Sequence, residues 1–130
     1  MPFGTTSREL VCTGDLLATA AALTGQTLPD DAGPDSVNQL PSLLGEKRAR
    51  PARESLVLHG GGGGLTIRLG PWKLIPGQPG AAPKAAPRSA ELYNLADDLA
   101  ETRNLALENP ARVEELARLL KQTREAGRSR

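Results

Sequence analysis

The residues of this chain that could do chemistry are one histidine, one cysteine and several grouped carboxylates and cations. A metal centre needs convergent His, Cys or carboxylate ligands. Cys12 and His59 stand far apart, and Asp30, Asp31 and Asp35 lie in a proline-broken stretch. Asp97 and Asp98 follow a short apolar run, and neither acidic set has the spacing of a calcium loop. These two and Glu101 read as turn-forming and capping residues. Nucleophilic catalysis needs a Ser or Cys beside a base and an orienting group. Cys12 precedes an expected helix start, a place that can lower a thiol pKa, yet nothing local brings His59 to it. It reads as a plain buried thiol. Gly60 to Gly64 is a run of five glycines, but no Gly-Lys-Ser/Thr follows and a strand comes next. A flexible hairpin loop fits better than a phosphate cradle. Lys47, Arg48, Arg50 and Arg53 form a basic cluster flanked by Glu46 and Glu54. It reads as a solvated loop or, functionally, as a weak anion contact.

The elements that must position these residues centre on residues 65–75. Leu65, Ile67 and Leu69 alternate with Thr66 and Arg68, the period of a strand with one buried face. Gly70-Pro71 reverses the chain, with Pro71 expected to set the turn. Trp72, Leu74 and Ile75 make a second strand with Lys73 pointing the other way, and Trp72 is expected at the centre of packing. Residues 55–59 and 92–95 offer two more strands. A helix over about 13–24 is expected, with Thr13 as cap, Asp15 against the positive end of its dipole, and Gly25 as its stop. Leu16, Ala20 and Leu23 would form its packing face. Residues 26–53 are loop-like, with a turn or two of helix at 40–44, and 77–87 is another irregular loop. The helix over 110–125 is the clearest element. Asn109 caps it, Pro110 starts it, Val113, Leu116, Leu119 and Leu120 line one face, and Glu114 can pair with Arg118.

With 130 residues and only Phe3, Trp72 and Tyr93 aromatic, the chain has little from which to build a large core. Burying each Leu or Ile contributes about 1.5–3 kcal/mol, and ordering long glycine and proline loops opposes it. This favours a chain that leans on another surface. The net charge of +1 does not steer it toward nucleic acid or anionic membrane. No apolar run approaches the ~20 residues that span a bilayer. The N-terminus lacks the pattern of a signal peptide, so no export is expected from this stretch itself. A single cysteine excludes an internal disulfide.

Several segments in order carry a family resemblance. They are Gly4-Thr5-Thr6-Ser7, Asp15-Leu16-Leu17-Ala18-Thr19, Leu23-Thr24-Gly25 with Leu28-Pro29, and Asp35 through Gly45. Arg53-Glu54-Ser55-Leu56-Val57, Ile67-Arg68 with Trp72-Lys73-Leu74, Leu92-Tyr93-Asn94-Leu95 and Asn104-Leu105-Ala106 complete the series. Together they resemble the C-terminal portion of a type I, arylsulfatase-like, formylglycine-dependent sulfatase.

The resemblance implies an α+β fold. Residues 1–53 would be the tail end of the parent's alkaline-phosphatase-like α/β domain, a helix plus loop. Residues 54–130 would be the C-terminal subdomain, a small antiparallel sheet of about four strands packed by the terminal helix. Trp72, Tyr93, Arg68 and Leu116 would be its structural residues. The family's nucleophile arises in a Cys/Ser-x-Pro-x-Arg motif, which Cys12-Thr13-Gly14-Asp15-Leu16 lacks. Its calcium and sulfate ligands lie upstream of the matching region, so no catalytic or metal residue carries over. This chain then needs no cofactor of its own, and calcium belongs to the full-length enzyme. His59 is the one candidate for substrate contact, because some related sulfatases carry a His at the end of this strand. The implied partners are a missing N-terminal sulfatase domain, or self-association, and a sulfated glycan or aryl sulfate for the parent. Neither nucleic acid nor membrane is expected, and the parent family is often periplasmic or secreted. The alternative is a stand-alone α+β module that binds carbohydrate or protein without catalysis.

Overall fold

A computed structural model describes residues 4, 6–60, 64–77 and 89–129. The middle of the expected glycine loop (61–63), most of the loop expected over 77–87, and residues 1–3 and 5 of the lead-in lie outside the described residues. The chain divides into two compact units, one of residues 1–54 with 126–130 and one of residues 55–125.

In the first unit a single 3₁₀ turn, Thr13–Asp15, leads into helix α1, Leu16–Leu23. The expected helix over 13–24 is therefore shorter and tighter at its start. Its cap is Cys12 rather than Thr13: the Asp15 amide donates to the Cys12 carbonyl, and the Asp15 carboxylate accepts from the Cys12 amide at 3.0 Å. The packing face also differs from the expected one. Ala18 and Thr19 are buried, whereas Leu16 and Leu23 are 68% and 70% exposed. The reason is polar: the Ala18 amide donates to Ser36 and Thr19 accepts from the Gln39 amide, which sets this side of the helix against the segment 36–39 and leaves the leucines outward. Helix α2, Leu40–Leu44, is the short helix expected there, with Pro41 in its first turn.

The second unit is an antiparallel meander. Strands β1 (Ser55–His59), β2 (Leu65–Leu69), β3 (Trp72–Ile75) and β4 (Glu91–Asn94) pair in sequence order. Helix α3, Pro110–Ala126, follows. The fold is α+β, as the sequence implied. The β2–β3 turn has two residues, and Gly70 takes φ 54, as a tight hairpin turn with glycine first requires. Gly70, at the first turn position, thus supplies the reversal assigned to Pro71.

Register explains the core. Val57, Ile67, Leu74 and Leu92 face one another in a row across the sheet. With Leu116 and Leu120 of α3 they close a core in which Ile67, Leu74, Leu92 and Leu116 have no solvent exposure. Trp72 packs at the rim of this cluster instead of at its centre, with the Arg112 guanidinium 5.5 Å above its ring. Val113 and Leu119 pack from the same helix face. The surface pairs on α3 are Arg112 with Glu115 and Lys121 with Glu125, in place of the expected Glu114–Arg118 pair.

The stretch after β4 is held by side chains. Asp98 accepts from the amides of Thr102 and Arg103, which lower its pKa and fix a turn. Glu101 takes φ 55 and reaches Lys73 with both oxygens at 2.7 Å. Asn104 accepts from the amides of Leu92 and Ala106, and the Leu105 amide donates to the Leu92 carbonyl. The outer edge of β4 is thereby closed, and Leu105 is laid against the core.

Candidate functional site

The strongest polar constellation surrounds Asp15. Its side chain is essentially inaccessible, and an ion so placed needs charge and hydrogen-bond partners on every side. Arg53, also buried, donates to Asp15 Oδ1, and the same guanidinium nitrogen reaches the Asp35 carbonyl. The Val37 amide donates to Oδ1 at 3.0 Å, the Cys12 amide to Oδ2, and Gln39 Nε2 to Oδ2 at 3.3 Å. Around this centre Ser36 accepts from the Ala18 amide, and Thr19 bridges the Asp15 carbonyl to the Gln39 amide. Gln39 also donates to the Leu10 carbonyl. The carboxylate thus ties the 3₁₀ turn, the 35–39 loop and residue 53 into one network.

Burial alone would push the Asp15 pKa up. The hydrogen bonds from Arg53, Cys12 and Val37, with the guanidinium charge, outweigh it and hold the group at about 2 instead of its usual 3.8. A depressed folded-state value contributes stability above the unfolded value, and that stability is lost as pH falls through the folded one. Acidification from about pH 4 to pH 2 is therefore expected to remove about 2 kcal/mol through Asp15 alone. Denaturant midpoints measured across that range check this. An Asp15→Asn chain with an undiminished acid response would exclude Asp15 as its source.

This network ties the first unit together. Its carboxylate is a buried, ionised acceptor whose oxygens are taken up by Arg53, Val37, Cys12 and Gln39. The basic cluster read from the sequence is split here, because Arg53 enters the core while Lys47, Arg48 and Arg50 stay exposed. A solvated arginine was expected at 53, and the buried Asp15 charge is what draws it in.

His59 ends β1, exposed, opposite Leu65. The Gly60 amide donates to the Gly64 carbonyl at 2.7 Å, which closes the hairpin just beyond it. Cys12 is a partly buried thiol far from His59 in sequence and in the other compact unit. On the sheet face away from α3, Arg68, Lys73 and Tyr93 stand in one cross-strand row. Lys73 is engaged by Glu101, Arg68 donates to the Gly70 carbonyl, and Tyr93 donates to Glu91 at 2.8 Å. The Glu91 bond and burial push the Tyr93 hydroxyl up to about 12, so it stays protonated. Leu116 is in the centre of the core. Among the described residues no three His, Cys, Asp or Glu side chains converge as metal ligands, so this donor set does not fit the calcium expected of a complete sulfatase.

Sequence reading missed Asp15, Thr19, Ser36, Gln39 and Arg53 as a unit. One signal was present, since Asp15 and Thr19 are four apart on the same helix face.

A four-stranded antiparallel meander followed by a C-terminal helix matches the C-terminal regions of sulfatases. The chain is similar in sequence and in fold to the C-terminal portion of these enzymes. It is 37% identical over 115 residues to an N-acetylgalactosamine-6-O-sulfatase of Bacteroides thetaiotaomicron, a match that takes in 82% of this chain and 22% of that protein. A solved Bacteroides thetaiotaomicron structure, concerned with the metabolism of multiple glycosaminoglycans, superposes with a TM-score of 0.67 at 36% identity. That superposition covers 84% of this chain and 24% of the other. Ps i-CgsB in complex with k-i-k-neocarrahexaose shares the fold, with a TM-score of 0.58 at 23% identity over 83% of this chain and 23% of its own. No protein-family model matches the chain. The chain spans about a fifth to a quarter of the length of these relatives.

Proposed function

We propose that this chain is the C-terminal part of a sulfuric ester hydrolase acting on a sulfated sugar, and that it completes the enzyme without supplying its chemistry. The observation that carries this reading is the 37% identity to an N-acetylgalactosamine-6-O-sulfatase over 82% of this chain. Residues up to 53 then belong to the end of the parent α/β domain, and residues 54–130 form the C-terminal subdomain. The polar groups described above support the reading. The Asp15 carboxylate and the Lys73–Glu101 pair find their charge partners within the chain, while Gln39 Oε1 and Arg53 Nε are buried without a hydrogen-bond partner; on this reading these groups hold shape and leave hydrolysis to the missing part. Calcium and the formylglycine nucleophile would be supplied by that part too.

His59 is the residue of this chain that we place at the border of the substrate pocket. Exposed at a strand end, its imidazole can donate to a sugar hydroxyl or a sulfate oxygen. The missing domain would cover the outward face of α1, where Leu16, Leu17 and Leu23 stand exposed; without it the same face favours self-association.

The test is complementation. The purified chain alone, supplied with calcium, is expected to give no turnover of aryl sulfate or of 6-O-sulfated N-acetylgalactosamine. Mixed with the Bacteroides relative truncated before its matching region, it is expected to restore turnover. A Leu16→Gln, Leu17→Gln, Leu23→Gln chain should fail to do so. Sustained turnover by the chain alone would overturn the reading, as would a restored activity indifferent to the three leucine changes.

A further inference from the structure

In the loop between α2 and β1, Arg53 is used by the fold but Lys47, Arg48 and Arg50 are not. We propose that Lys47, Arg48 and Arg50 form an anchoring site for a sulfated glycosaminoglycan, a contact with the polymer outside the reacting sugar. The proposal rests on the sulfated-sugar reading above and adds a site that hydrolysis itself does not require.

Three observations carry it. First, the loop is held at both ends. The Glu46 amide donates to the Pro41 carbonyl at 2.9 Å, behind Gly45 with φ 78. At the other end the Ala52 amide donates to Glu9, Pro51 stiffens the backbone, and Arg53 is locked on Asp15. Both ends of the cationic run are thus anchored to the first unit. Second, the three cations are exposed, and among the described residues none makes a hydrogen bond or ion pair. Third, they fall within four consecutive positions. Glu46 and Glu54 bound the loop outside that run, so its middle carries one sign of charge. Elsewhere Arg53, Lys73, Arg103, Arg112 and Lys121 are each paired with a carboxylate.

Short Lys/Arg-rich runs suit sulfated polymers and nucleic acids alike. A glycan is the occupant we argue for. Three aromatic residues in 130 leave almost nothing on which bases could stack, and the net charge of +1 builds no broad basic surface. Planar guanidinium groups donate paired N–H bonds to sulfate oxygens, and Lys47 adds a point charge.

The experiment measures binding of the full chain to chondroitin 6-sulfate at low salt. A Lys47→Gln, Arg48→Gln, Arg50→Gln chain is compared with an equal change of charge on α3, Arg118→Gln, Lys121→Gln, Arg124→Gln. The loop variant is expected to bind about tenfold more weakly and the helix variant about as well as the unaltered chain, with the difference shrinking at high salt. Thermal melting should be unchanged in the loop variant, because no contact within the fold is removed. Chemically desulfated chondroitin should bind no better than the loop variant binds the sulfated polymer. Equal losses in the two variants would reduce the effect to net charge and overturn the proposal. So would undetectable binding by the unaltered chain, or equally tight binding to double-stranded DNA. Loss of binding in the loop variant together with failed complementation would instead remove the hydrolase reading and leave the glycan site standing.

Discussion

Replacing Arg53 with alanine is expected to destabilise the first unit by about 3–5 kcal/mol, because Asp15 would stay buried without a charge partner. A typical domain has only about 5–15 kcal/mol in total, so this one change could empty the native state of residues 1–54. Arg53→Lys should recover part of the loss. An ammonium can neutralise the carboxylate, but it sits on a shorter side chain and lacks the second nitrogen, Nη1, that donates to Ser129 while Nη2 serves Asp15 and the Asp35 carbonyl. Exchanging both partners for apolar residues of similar volume should cost less than the sum of the single changes, since no stranded charge is left. Urea midpoints at neutral pH measure all four chains. An Arg53→Ala chain within about 1 kcal/mol of the unaltered one would show that the network is not what organises this unit.

Leu116→Ala is the second large effect. Leu116 has no solvent exposure and meets Ile67, Leu74 and Leu92 at the centre of the sheet–helix core. Leu→Ala changes at such sites cost about 3–5 kcal/mol, through lost transfer energy and the cavity left behind. Leu107→Ala, at a position 97% exposed, should move stability by less than about 0.5 kcal/mol. Trp72→Ala should fall below Leu116→Ala, because one side of that ring meets solvent and Arg112 instead of core. If Trp72→Ala proved the more damaging, the rim placement of the indole would be wrong.

Much of the second unit was legible in the order of residues. Alternation at 65–69 named the buried face correctly, because a strand has a period of two whatever surrounds it. Asn109 and Pro110 marked the start of α3 for an equally local reason, the backbone geometry of a helix entrance. The motif after β4 could be seen as a pattern, but its meaning could not. Asn104 matters because its side chain reaches the Leu92 and Ala106 amides, and the first of these lies twelve residues back.

What the sequence by itself determined was the α+β class, the strand and helix positions and the likeness to a sulfatase C-terminal portion. Each rests on short-range periodicity, turn chemistry or motif order. Only the tertiary structure decided which leucines of α1 are covered, where Arg53 goes and what sits at the centre of the core. Asp15, Gln39 and Arg53 are separated by 24 and 38 residues from the carboxylate outward, so no local pattern links them. A buried charge selects its partners by proximity in space, and the cost of leaving it unpaired pulls Arg53 out of a run of solvated cations and turns the apolar side of α1 outward.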